Sequence, residues 1–356
     1  MKQISNHQLG TMTVKRVLSF DVMRIVAAFS IVAQHVSGRS WVTSYPSSEW
    51  GIWNFYTSLA QWGVPVFFMI SGALFLSSEK ILDIRRLFSK NLLRIVYAFL
   101  FWSIVYVLVT EGFGQGLKIT FLSVIKGPPH FWFLFMMIGI YLTLPVLKCI
   151  AAQEKAFNYF VVLAIITTFI IPSIFNHIGL FNELRMQALA NYYDSFGLPS
   201  LYFITYFIIG HWLFSHAISS CMRKVIYLLA ALSFVGSAVA TRWLSCRVGF
   251  CNGFFYADLH PFILIQGIAI FVFFKDKFKS LSLQWSRIIV RLSNYSFGIY
   301  LVHPLIMYLC TNLLGFSPSA FYVAWFVPVY SVFIFVLSYL LVKLVSMVPF
   351  MRKFVM

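Results

Sequence analysis

Ten apolar runs, each of roughly 16 to 26 residues and bounded by charged or turn-forming residues, recur along this chain. They cover residues 18–37, 53–77, 92–110, 129–150, 156–175, 199–216, 225–241, 260–275, 294–315 and 320–345. A bilayer core takes about 20 apolar residues of helix to cross. Lipid offers the backbone no hydrogen-bond partners, so a spanning segment must be a helix or part of a closed barrel. These runs are continuously apolar rather than alternating, which selects helices. The expected fold is therefore all-α: a polytopic membrane bundle of about ten transmembrane helices. Composition agrees, because only 10% of the 356 residues are charged and 60% are hydrophobic. A soluble domain carries about 25% charged residues, and a disordered chain is poor in the aromatics that make up 19% of this one.

The net charge of +17 comes from 27 Lys and Arg against 10 Asp and Glu. In a soluble protein that excess would suggest nucleic acid. In a membrane bundle it is what short cytoplasmic loops carry, so no nucleic-acid partner is expected. With the N-terminus inside, 20 of the basic residues fall on the cytoplasmic side and six (Arg39, Lys118, Lys126, Arg185, Arg242 and Arg247) on the other, leaving Arg24 within the first helix. A misplaced helix would scramble that bias, so both termini are expected in the cytoplasm. The first apolar run is too long for a signal-peptide core, which implies an uncleaved first helix. The expected division is a cytoplasmic N-terminal segment at 1–17, a membrane domain at 18–345 and a cytoplasmic tail at 346–356. Segments 112–128 and 241–259 are semi-apolar connections able to re-enter the bilayer. No Cys or His lies at metal-ligand spacing, so no metal is expected. Cys246 and Cys251 share a loop, where a disulfide and two free thiols are equally compatible with the sequence.

An ionisable group at membrane depth costs at least about 2.5 kcal/mol on insertion scales, and so marks a functional candidate. The first helix reads SFDVMRIVAAFSIVAQHV, with Asp21, Arg24 and His35. Arg24 and His35 are eleven residues apart, which returns them to one helix face about 16 Å apart along the axis. Asp21 lies one turn before Arg24 and can pair with it. Two readings fit: an anionic ligand held by Arg24 below a titratable imidazole, or a structural ion pair with an interfacial histidine. The second helix carries Pro65, which can break it, and Ser71-Gly72, small enough to admit a close neighbour. The segment after it holds Lys80, Arg85, Arg86, Lys90 and Arg94. Those charges suit anionic lipid or phosphate, which Arg binds bidentately. The fourth run begins with His130 and Trp132 and contains Tyr141. The ninth contains Ser296, Tyr300 and His303, with Pro304 next; Tyr300 and His303 share a face.

Six stretches together resemble membrane-bound acyltransferase family 3, the integral-membrane O-acyltransferases that modify bacterial glycans. They are FDVMRIVAAFSIVAQH, PVFFMISGALF, KNLLRI, HFWFLFMMIGIYLTLP, YFITYFIIGHWL and LSNYSFGIYLVHP, in family order over residues 20–304. The resemblance implies acetyl-coenzyme A as cytoplasmic acyl donor and a sugar hydroxyl of a lipid-linked or surface polysaccharide as acceptor. It implies the inner membrane of a bacterium as location, with membrane lipid as surroundings. Some members carry an added hydrolase-like domain; the length here fits the stand-alone O-antigen or capsule branch. Residue by residue, the family motifs fall on Arg24 and His35, on Ser71 and Gly72, and on Lys90 and Arg94. Trp132, Tyr141, Tyr300 and His303 take the remaining positions, as supporting groups or, for His303, as a second candidate base. Asn91 stands where many members have a second Arg, which leaves Arg94, helped by Arg85 and Arg86, to hold the donor's phosphates.

A thioester needs no activation, but the acceptor hydroxyl does. A neutral imidazole near its reference pKa of about 6.5 can take that proton, and His35 is the first candidate. An acetyl-His35 intermediate is the covalent variant of the same reaction. The acceptor is expected at the 176–198 loop, with Glu183, Arg185, Tyr192, Tyr193 and Asp194, at the 38–52 loop, or at 241–259. A polysaccharide flippase or polymerase is the alternative function. A flippase would spread its charges over many helices, whereas here they gather on the first. A polymerase would carry larger outer loops.

Overall fold

The computed structural model describes residues 16–77, 83–111, 117–175, 202–278, 281–315 and 322–354. Every element among them is helical. We number the helices α1 (Leu18–Thr43), α2 (Trp50–Ala60), α3 (Gly63–Leu76), α4 (Ile84–Thr110), α5 (Leu117–Lys126), α6 (Pro129–Ala151), α7 (Glu154–Phe175), α8 (Tyr202–Ser215), α9 (Ser220–Val248), α10 (Pro261–Lys275), α11 (Leu283–Leu314), α12 (Val323–Val345) and α13 (Pro349–Phe354). Eight spans among the described residues are long and apolar enough to cross a membrane. The other two expected spans are α8, which is shorter, and α11, whose 32 residues include Asn294, Ser296 and His303. All ten expected spans thus fall on helices. The chain is an all-α polytopic membrane bundle.

The second expected span is two helices. Pro65 has no N–H to offer the Gln61 carbonyl, and the chain turns at Gln61 and Trp62 between α2 and α3. Of the two semi-apolar connections, 112–128 contains the short helix α5, while 241–259 is entered by a continuation of α9 to Val248 and then a 3-10 turn at Phe254–Tyr256. The acceptor loop 176–198 lies outside the described residues. Cys246 and Cys251 are both free thiols. Cys251 Sγ instead accepts from the Trp50 indole N–H at 3.0 Å, and burial pushes its thiol above its ordinary value.

α1 is the axis of the bundle, packed against α2, α3, α10, α11 and α12. Bonds between helix ends show the up-and-down alternation. The Arg16 guanidinium joins the start of α1 to Asn294, twelve residues into α11, at 2.9 Å. Arg223 at the start of α9 pairs with Asp276 after α10 at 3.3 Å. Lys275 closes the end of α8 by donating to Leu213 and His216 carbonyls at 2.5 and 2.7 Å. The tightest seam is α3 on α8, where backbones touch: Gly72 lies against the backbone of Phe207, and Gly210 against the backbone of Met69. Any side chain at either position would meet main chain, which does not yield. The Ser-Gly motif of α3 therefore owes its glycine to packing.

Candidate active site

Asp21 sits near the start of α1 with its carboxylate 1% exposed. Arg16 grips it bidentately, Nε to Oδ2 at 2.7 Å and Nη2 to Oδ1 at 2.8 Å. The Ser293 hydroxyl donates to Oδ1 at 2.7 Å, and Arg24 Nη1 stands off at 3.4 Å. The sequence pairs Asp21 with Arg24; the fold makes Arg16 its principal partner. That partner cannot be chosen from helix periodicity, because Arg16 precedes the helix. The bond to Asp21 raises the Arg16 guanidinium above its ordinary value. With its carboxylate already satisfied, Asp21 leaves most of the Arg24 fork uncommitted.

Arg24 faces a cavity of about 310 Å³. Arg94, Asn91 and Ser71 line it with Arg24, and Tyr141, Ser296 and Tyr300 add polar groups among Phe67, Phe75 and Phe133. The two arginines come from different helices, α1 and α4, at the end of the bundle where both begin. Asn91, one turn before Arg94, adds an amide residue to the cavity wall. Ser71 Oγ spends its proton on Phe67 C=O at 2.9 Å and offers the cavity its lone pairs. Arg85, Arg86 and Lys90 are exposed at the start of α4 and do not line the cavity. Trp132 packs on Phe203, ring centroids 4.7 Å apart, also outside it.

His35 opens on a second cavity, of about 430 Å³, at the other end of α1. Its walls include Gln34, Arg39, Trp41, Thr57, Gln61, Tyr256, Pro304 and Met307. Asn54 Oδ1 holds the two aromatic walls, accepting from Trp41 Nε1 at 3.1 Å and from the Tyr256 hydroxyl at 2.5 Å. Gln34 donates to Gln61 at 2.6 Å, and its own carbonyl oxygen has no partner. Arg39 donates to Thr311 at 3.2 Å. Arg24 and His35 share one helix face as the spacing requires, yet they open into different cavities. The cavities approach within one helical turn of each other: Ile31 and Tyr300 line the first, His35 and Pro304 the second.

Three imidazoles stand at that constriction. His35 lies 4.8 Å from His303 and 6.3 Å from His130 between ring centroids, and His130 lies 5.9 Å from His303. A carbonyl only accepts, so each ring nitrogen bonded to one must carry the proton. His35 Nδ1 donates to Ile31 C=O at 2.9 Å, and His303 Nδ1 to Tyr300 C=O at 2.8 Å. His130 Nε2 donates to Leu301 C=O at 3.3 Å. When neutral, each ring then keeps one lone pair: Nε2 of His35, Nε2 of His303 and Nδ1 of His130. His303 Nε2 is buried with no partner. Among the described residues, no group of three His, Cys, Asp or Glu is placed to hold a metal ion.

His130 is the member of this cluster that sequence reasoning names but gives no role. Its signal is a histidine at the mouth of a span, directly after Pro128-Pro129, which reads as a helix start and nothing more. Its neighbour Tyr106, in the last turn of α4, carries no sequence signal at all.

A family model described as an acyltransferase domain matches residues 17–343 of the chain. No curated protein and no solved structure matches it.

Proposed function

The chain belongs to membrane-bound acyltransferase family 3, and from that premise we propose that it moves an acetyl group from acetyl-coenzyme A to a sugar hydroxyl of a lipid-linked or surface polysaccharide. The observation that supports this most is the meeting of two cavities at the histidine cluster, one basic and one aromatic and polar. In this reading the Arg24–Arg94 cavity faces the cytoplasm, as the distribution of basic residues implies, and holds the phosphates of the donor. The guanidinium forks are suited to that contact. Arg85, Arg86 and Lys90 lie at the approach and draw the anion in through long-range attraction. The second cavity takes the sugar: Trp41 and Tyr256 offer ring faces, and Gln34, Gln61 and Arg39 offer hydrogen-bonding groups, a combination that fits a glycan. The setting is the inner membrane of a bacterium, and the product is an O-acetylated O-antigen or capsule.

His35 Nε2 takes the acceptor proton as the hydroxyl oxygen attacks the thioester carbon. The carbon–sulfur bond breaks, and the coenzyme A sulfur leaves toward the first cavity, taking up the proton that the hydroxyl gave to His35 and so returning the imidazole to its neutral form. His35 is suited to the base role because Ile31 fixes the Nδ1–H tautomer and so keeps the lone pair on Nε2. His303, with its second unpartnered lone pair beside it, can share the proton that His35 gains.

The test is release of free thiol from acetyl-coenzyme A by the purified chain, with and without a lipid-linked glycan. His35→Ala should lower turnover by about 10²- to 10⁴-fold, the usual cost of a general base, while donor binding persists. No thiol release by the unaltered chain with any glycan supplied would reject the donor assignment. Turnover by His35→Ala within a few-fold of the parent would move the base to His303.

A further inference from the structure

The hydrogen-bond ladder of α11 is interrupted at Pro304, where the continuous helix passes His35. In a continuous helix the residue 304 N–H would bond to Tyr300 C=O, and Leu305 N–H to Leu301 C=O. Pro304 has no N–H and its ring presses on the carbonyl one turn back. The freed Tyr300 carbonyl takes His303 Nδ1–H instead, at 2.8 Å. At the next rung a side chain from another helix enters. The Tyr106 hydroxyl accepts from Leu305 N–H at 3.0 Å and donates to Leu301 C=O at 3.0 Å. One hydroxyl thus bridges the two groups that a ladder bond would join. His130 Nε2 adds a second donor to Leu301 C=O, and the Tyr300 hydroxyl donates back to the His130 carbonyl. Tyr106, His130, Tyr300 and His303 are all buried, His303 completely.

We infer that Tyr106 is a positioning residue for acyl transfer: its hydroxyl splints the Pro304 break and so holds the His303 ring against His35. This rests on reading His35 and His303 as the catalytic pair. Tyr106 lines neither cavity, so it touches neither substrate there and its influence must pass through α11. A general packing role is served by its ring, which lies 5.4 Å from the His130 ring and 5.8 Å from Phe131. The hydroxyl is the part that does something a phenylalanine would not. A buried helix break needs its loose groups paired, and a hydroxyl, both donor and acceptor, is the smallest group that pairs two.

The experiment is a double-mutant cycle on the full chain, reading turnover and donor binding separately. Tyr106→Phe keeps the ring and should lower kcat roughly 10- to 100-fold, the scale of a small misplacement of a catalytic group, with donor affinity unchanged. Pro304→Ala restores the missing N–H and lets α11 close its own ladder. In that background Tyr106→Phe should change kcat no more than about twofold, because there is no break left to splint. Equal losses in both backgrounds would overturn the proposal, as would parental kcat in Tyr106→Phe or a parallel fall in donor affinity. If Tyr106→Phe fails to fold, it should still be tolerated beside Pro304→Ala, and continued failure to fold there overturns the proposal as well. Absence of any acetyl-coenzyme A turnover by the unaltered chain would reject the acyl-transfer reading itself, a separate outcome visible in the same assay.

Discussion

The α3–α8 seam and the α11 break are both built from residues that weaken helices, and they use that weakness in opposite directions. At the seam, Gly72 and Gly210 remove side chains so that two backbones touch. No side chain stands between the backbones at these two positions, and the result is a close-packed joint. At the break, Pro304 removes an N–H, and the loosened carbonyls and amide are taken up by Tyr106, His130 and His303. The result is a buried polar node within an apolar bundle. In lipid, helices gain little from burying apolar surface against one another, so close packing and internal hydrogen bonds carry the association. The first region uses packing and the second uses hydrogen bonds. Only the second leaves lone pairs over for chemistry.

That contrast is open to disproof. The largest effect should come from the seam: Gly210→Leu places a side chain where the Met69 backbone stands, and should abolish recovery of monodisperse protein. Recovery of folded, donor-binding protein would mean that the seam is looser than its geometry. Next should come Arg24→Ala in the first cavity. Loss of a charged hydrogen-bonding group costs about 1.5–3 kcal/mol, so donor affinity should fall roughly 10- to 100-fold with the fold intact. Arg24→Lys, which keeps charge and loses the fork, should fall in between. Unchanged affinity in Arg24→Ala would return Arg24 to a structural role beside Asp21 and Arg16. The smallest effect belongs to the surface. Lys90→Ala, exposed and outside the cavity, should alter donor affinity by less than about threefold, and added salt should erase the difference. A larger change that resists salt would bring Lys90 into the binding site.

Parts of both regions are legible in the sequence. Ser71-Gly72 is visible as a small pair in an apolar run, but whether it meets a ligand or a helix depends on where α8 lies. The structure gives the glycine to α8 and leaves the serine in the cavity wall. Arg24 and His35 share a face by helical arithmetic alone. That they open on separate cavities, Arg24 on one that ends at Ile31 and Tyr300 and His35 on the other, is contained in no spacing rule. Arg85, Arg86 and Lys90 look equivalent to Arg94 in the basic run. The turn of α4 sends Arg94 into the cavity and the others outward.

Sequence by itself determined the ten apolar runs, eight of which lie in described helices long and apolar enough to cross a membrane, the all-helical class and the excess of basic residues expected to face the cytoplasm. These follow from what lipid permits, and lipid acts on each segment independently of the others. Tertiary structure decided the site. His35, His130 and His303 are separated by 95 and 173 residues along the chain, and Tyr106 lies on yet another helix. Whether such groups converge depends on which helix faces which, on a scale set by side-chain packing rather than by local pattern. The break at Pro304 illustrates the division. A proline in an apolar run announces that a helix loses a bond; only the assembled bundle shows that a tyrosine from α4 supplies the replacement.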